Sequence, residues 1–169
     1  MNRSLMKRAI AIVLVGAAAS VCAVRAPAQN RLVVASGAMF PVYQATSLPS
    51  SQLINPEELV KLLRSENPLM IQVGSHVLYQ QAHIPGSEYI GPASSESGLQ
   101  SLRKRVESLP RNKFIVIYCG CCPWSHCPNV KPADDALRAM GFTNVRVLYI
   151  ANNFGADWVD KGYPVAKGD

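Results

Sequence analysis

Phe114-Ile115-Val116-Ile117-Tyr118-Cys119-Gly120-Cys121-Cys122-Pro123-Trp124-Ser125-His126-Cys127 joins an unbroken apolar run to four of the chain's five cysteines. A short run rich in Val and Ile has the character of a strand buried on both faces, as in a parallel sheet. Downstream, Pro132 opens a helix with Asp134 and Asp135 in its first turn, where carboxylates suit the helix dipole, and Gly141 closes it. A strand that ends in a thiol, followed by a turn and a helix, is how an α/β protein presents a nucleophile above its sheet. The stretch therefore sets both the fold class and the place of the chemistry.

The same alternation extends to either side. Asn55 is an N-cap, Pro56 takes the first helical position, Glu58 completes a pair resembling a capping box, and Ile54 staples onto Leu59. This predicts a helix over 56–65 with Leu59, Leu62 and Leu63 on its apolar face, stopped by Asn67-Pro68. Leu69 to Val73 reads as a buried strand and His83-Ile84-Pro85-Gly86 as a turn. Leu99 to Leu109 has helical spacing with Arg103, Lys104 and Arg105 facing solvent, and Pro110 with Asn112 ends it. Val145 to Ile150 is a third strand and Ala156 to Lys161 a short closing helix before Gly162-Tyr163-Pro164. Strands alternating with helices through short loops imply a doubly wound parallel sheet, with residues 52–169 forming one domain. The chain has no internal repeat and no low-complexity tract.

The N-terminus bears on the redox surroundings of those thiols. Met1 to Arg8 carries Arg3, Lys7 and Arg8 without an acid, Ala9 to Val24 is apolar and small, and Ala26-Pro27-Ala28 supplies an A-x-A cleavage signal. Residues 1–28 are thus expected to be a secretory signal peptide, cleaved after Ala28, with a periplasmic or secreted product. The apolar run is shorter than the ~20 residues of a spanning helix, so no membrane span is expected after cleavage. Cys22 follows Ala19-Ser20-Val21, which lacks the pattern that lipid-modified sites prefer. Loss of the segment removes Arg3, Lys7, Arg8 and Arg25, lowering the net charge from +6 to +2. No basic stripe interleaved with aromatics remains, which argues against nucleic acid. Residues 29–51 read as a linker and lead-in with at most an edge strand. What remains is large enough to build a core without disulfide staples, so the cysteine cluster calls for a chemical explanation.

Five segments together resemble the rhodanese-like domains, the persulfide-forming sulfurtransferases and their relatives. Ile54-Asn55-Pro56-Glu57-Glu58-Leu59 looks like the opening helix, His83-Ile84-Pro85-Gly86-Ser87 like the H-I-P-G-A segment, and Ile115 to Cys119 like the strand that ends in the catalytic cysteine. Ala136 to Val145 is similar to the helix and strand that follow, and Trp158 to Val165 to the terminal W-x(n)-G-x-P-V. The resemblance implies a doubly wound parallel sheet of about five strands flanked by helices. It also implies that Cys119 is a low-pKa thiolate that takes sulfur from a sulfane donor as a persulfide and passes it to a thiol acceptor, with no cofactor required. Loop amides and the following helix N-terminus would stabilise that anion.

The sequence also departs from this pattern. The loop is longer than the family's and lacks the arginine that closes it; Lys131 is the nearest cation and a candidate anion support. Pro123, Pro128 and Pro132 remove amides from any cradle, and the family's D-V-R becomes Gln72-Val73-Gly74. Thiosulfate and phosphate chemistry are weakened accordingly. Three roles are open for the remaining thiols. Cys121, Cys122 or Cys127 is a resolving or redox partner of Cys119. Alternatively, Cys119, Cys121, Cys122, His126 and Cys127 supply a non-catalytic soft-metal site for Zn or Cu(I), although the spacing matches no standard zinc knuckle. In the third reading, two of the cysteines form a structural disulfide. Vicinal Cys121-Cys122 is an awkward basis for one, which favours reactivity. His83 is expected to hydrogen-bond within its turn, His76 to lie on the surface, and Trp124 to pack the loop onto the domain or cover it.

Overall fold

A computed structural model describes residues 47–169. Residues 1–28, expected to be a signal peptide, with Cys22 among them, and most of the lead-in lie outside the described residues. After a tight turn over Ser50–Gln52 come β1 (Leu53–Ile54), α1 (Pro56–Ser65), β2 (Leu69–Gln72), α2 (His76–Gln81), β3 (Glu88–Tyr89) and α3 (Glu96–Val106). They are followed by β4 (Ile115–Tyr118), a turn over Trp124–His126, α4 (Val130–Ala139), β5 (Val145–Leu148) and a wide helical turn over Gly155–Val159. All five strands pair in parallel in the order β1-β5-β4-β2-β3, so β4 is central. Among the described residues no helix is long and apolar enough to cross a membrane.

The apolar run before the cysteines divides between two cores. Ile115, Ile117 and Cys119 face Leu102 and Val106 of α3 and Val130, Ala133 and Leu137 of α4. Val116 and Tyr118 face Leu59 of α1, together with Ile84, Phe154 and Trp158. A strand covered on both sides has no reason to alternate with polar residues, which is why this stretch reads as continuous apolar sequence. At α1, the Asn55 side chain accepts from the Glu58 amide at 2.8 Å, as its N-cap pattern predicts.

Several boundaries differ from the sequence expectation. α3 begins before Leu99 because Ser95 caps it, accepting from the Gly98 amide at 3.1 Å. It also ends at Val106 rather than Leu109. α4 begins at Val130, two residues before Pro132, whose missing amide would find no helical partner in a first turn. Asp134 and Asp135 therefore act on the helix flank: Asp134 accepts from Arg138 Nε at 2.8 Å and Asp135 from Lys131. The third strand stops at Leu148, and the closing segment is one wide turn whose Asp160 amide donates to Gly155 O. α2 and β3 were not expected; six and two residues respectively are too short for periodicity to show.

Candidate functional site: the thiol loop

Cys119 directly follows the C-terminal end of β4, where an open parallel sheet exposes its crevice. The backbone there is tied on both sides. Gln72 Nε2 donates to Cys119 O at 3.2 Å, while the Gly74 amide donates to Gln72 Oε1 at 3.0 Å. A Cβ on Gly74 would stand 2.8 Å from Cys119 Sγ, so Gly-sized space at this position is what admits the sulfur. Gly120 turns the chain with φ +73°, and a side chain there would press within 2.7 Å of Phe154 Cβ. The turn over Trp124–His126 is fastened by the Trp124 amide to Ala151 O at 3.0 Å and by its indole against Tyr149, edge on at 5.1 Å.

These ties gather the thiols. Cys119 Sγ lies 3.0 Å from Cys121 Sγ, and Cys121 Sγ lies 3.3 Å from Cys122 Sγ. Cys127 also hydrogen-bonds with Cys119 and Cys121 through its thiol. None of the four forms a disulfide; Cys119 and Cys127 are buried, whereas Cys121 and Cys122 are partly open to solvent. Asn129, unremarked in the sequence, is the polar side chain that completes the cluster. It is buried; its Oδ1 accepts from the Ser94 amide at 2.9 Å, which turns Nδ2 to donate to Cys119 Sγ at 3.3 Å and more weakly to Cys121 Sγ at 3.9 Å. Occupying the N-cap place of α4, it makes no side-chain cap bond, its amide being committed to Ser94 and the thiols.

The thiol contacts couple the titration of the cluster. The Cys119 thiol is pushed well above its ordinary range, first by its hydrogen bond to Cys121, then by that to Cys127, then by burial. The Cys121 thiol is pulled down strongly, because Cys119 and then Cys127 donate hydrogen bonds to its sulfur. Burial, followed by its contact with Cys121, raises Cys122. The Cys119–Cys121 pair thus favours one thiolate and one thiol, with a proton held between sulfurs 3.0 Å apart and Cys121 the more open of the two to solvent. At the start of α4 the amides of Asn129 and Val130 hydrogen-bond to the Cys127 sulfur.

The other candidates are placed as follows. Lys131 is bound to Asp135 at 2.7 and 2.9 Å on a half-exposed flank of α4. His126 is exposed, with Nδ1 on Ser125 Oγ at 2.8 Å. Among the described residues no three Cys, His, Asp or Glu side chains are arranged to close on one metal ion. His83 lies in its turn with Nδ1 2.8 Å from Tyr79 O and its ring stacked on Tyr79 at 3.9 Å. His76 is exposed, its Nε2 3.0 Å from Asp169. Cys121 borders a cleft of about 410 Å³ between α2 and the 155–159 turn.

A parallel α/β sheet whose central strand delivers a cysteine into a loop before a helix defines a class of thiol proteins. Within it, the family model for the rhodanese-like domain matches residues 55–149, and the chain belongs to that family. The BH2092 protein of Bacillus halodurans is similar in fold, with TM-score 0.53 and 20% identity over 69% of this chain and 77% of its own. The Alr3790 protein of Anabaena sp. gives TM-score 0.52 and 20% identity over 68% of this chain and 82% of its own. A thiosulfate sulfurtransferase of Pseudomonas aeruginosa gives 0.50 and 19% over 69% of this chain but 20% of its own. At such identities the likeness establishes the fold. No curated protein matches the chain significantly.

Proposed function

We propose that this is a sulfurtransferase-type thiol carrier acting outside the cytoplasm, in which Cys121 and Cys119 divide the work of the family's single nucleophile. The observation that carries this reading is the 3.0 Å sulfur contact between an accessible thiol and a buried one, with Asn129 Nδ2 donating to the pair. Cys121, as thiolate, attacks the sulfane sulfur of a donor, the donor's S–S bond breaks with its electron pair leaving on the rest of the donor, and Cys121–S–S⁻ forms. Cys119 then attacks the outer sulfur of Cys121–S–S⁻. The S–S bond to Cys121 breaks, the Cys119 proton passes to Cys121, and Cys119–S–S⁻ remains. An acceptor thiol R–SH takes that sulfur as R–S–S⁻ and returns the proton to Cys119. No net oxidation occurs at any step. Asn129 supplies a neutral donor where the family uses an arginine, and Cys122 and Cys127 stand by as resolving thiols.

The test is sulfur loading followed by cyanolysis in the wild type, Cys119→Ser and Cys121→Ser. Cys121→Ser is expected to slow loading at least about tenfold, whereas Cys119→Ser loads but loses its sulfur quickly. Absence of loaded sulfur in the wild type, or wild-type loading by Cys121→Ser, contradicts the reading. The location rests on the 1–28 segment. A chain beginning at Gln29 in the exported fraction supports it, and an uncut chain in the cytoplasm opposes it.

A further inference from the structure

The cleft beside Cys121 differs from an anion site in its chemistry. Its walls are made by Leu78, Ala82, Phe154 and Val159 with Gln81 and Asn153, and apart from the Cys121 sulfur no lining residue carries a charge. Leu78 and Val159 stand 39% and 37% exposed at its rim, a cost in water that an apolar occupant relieves. Gly120 and Cys121 close one end, whereas the buried Cys119 is not among the lining residues. The nearest cation in sequence, Lys131, is held by Asp135 at 2.7 Å on α4. A doubly charged donor would lose its hydration here without gaining a partner. The volume of about 410 Å³ suits a small molecule.

We infer that this cleft is the sulfur-donor site and that its donor is a low-molecular-weight alkyl hydropersulfide, R–S–S–H, whose R group packs on the Leu78–Val159 walls. The inference rests on the carrier reading above and adds its substrate class. In the step, the Cys121 thiolate attacks the terminal sulfur of R–S–S–H, the donor's S–S bond breaks, R–S⁻ leaves, and Cys121–S–S–H forms. Atoms and charge balance without an added oxidant or reductant. The Gln81 amide and the Nδ2 of Asn153, whose Oδ1 already accepts from the Ala156 amide at 2.9 Å, are the polar groups at hand to orient the donor's sulfur end.

The experiment compares loading of the full chain by an alkyl hydropersulfide and by thiosulfate, read by intact mass, in the wild type and in Leu78→Arg. The wild type is expected to load from the hydropersulfide at least about tenfold faster. Leu78→Arg places a cation on the cleft wall and is expected to raise the thiosulfate rate about fivefold or more relative to the hydropersulfide rate. Equal wild-type rates with the two donors overturn the donor-class inference while leaving the carrier reading intact. The same holds if Leu78→Arg, retaining its native circular dichroism, leaves the ratio unmoved. Loading from neither donor overturns both. A second variant, Val159→Lys, repeats the charge test from the opposite wall should Leu78→Arg misfold, with the same outcomes.

Discussion

The His83–Ser87 turn and the Cys119–Asn129 loop both meet the end of β4, yet they are built differently. In the turn every polar contact is a firm one: Tyr118 Oη accepts from the Ile84 amide at 3.1 Å and pairs with Ser87 Oγ at 2.8 Å, while Tyr79 Oη donates to Ser87 O at 2.6 Å. In the loop the contacts of the Cys119 and Cys121 sulfurs are with other thiols, or from the Asn129 amide at 3.3–3.9 Å. Oxygen and nitrogen groups in short bonds fix a backbone, whereas sulfur groups in weak ones stay chemically available. The turn is a fastening and the loop is a reagent, and neighbouring residues of one strand, Tyr118 and Cys119, serve the two.

Breaking the fastening should cost most. Tyr118→Phe strands the buried Ile84 amide and Ser87 hydroxyl and is expected to lower stability by about 1–3 kcal/mol in urea unfolding, with thiol reactivity little changed. Asn129→Leu sits on the other side of the comparison. It strands the Ser94 amide, costing about 1 kcal/mol, and removes the donor to the sulfurs, so the cluster's first thiolate should form at higher pH in an ultraviolet thiolate titration. A purely structural role would change the unfolding curve and leave the titration midpoint in place.

The pH profile separates the two regions again. Cys119 and Cys122 hold their protons more tightly folded than unfolded, so their contribution is whole below the ordinary thiol value of 9.0 and is lost as pH rises past it. Cys121 is depressed, so its contribution is present above 9.0 and declines as pH falls towards its folded value. Stability is therefore expected to drop in the alkaline range above 9.0, and Cys119→Ala should flatten that drop. The smallest effect belongs to Lys131→Ala, which removes an exposed pair with Asp135 and should change stability by less than about 0.5 kcal/mol.

The fastened parts were the more legible in sequence. The Asn55 cap, the apolar strands and the His83 turn each declare themselves through local chemistry within a few residues. α4 misled because Pro132 tolerates any place in a first turn, and Asn129 at its cap position is diverted to Ser94, remote in sequence. The cysteine cluster was visible at once, but its internal order was not. Which sulfur is buried depends on Gly74 leaving room for Cys119, and how the thiols share their protons depends on contacts that no spacing rule encodes.

Site-resolved mass spectrometry of wild-type protein quenched at successive times after addition of a sulfane donor tests the two-thiol carrier most directly. The account predicts one added sulfur on Cys121 at the earliest times and on Cys119 later. Sulfur appearing first on Cys119, or accumulating on Cys122 or Cys127 instead, would contradict it.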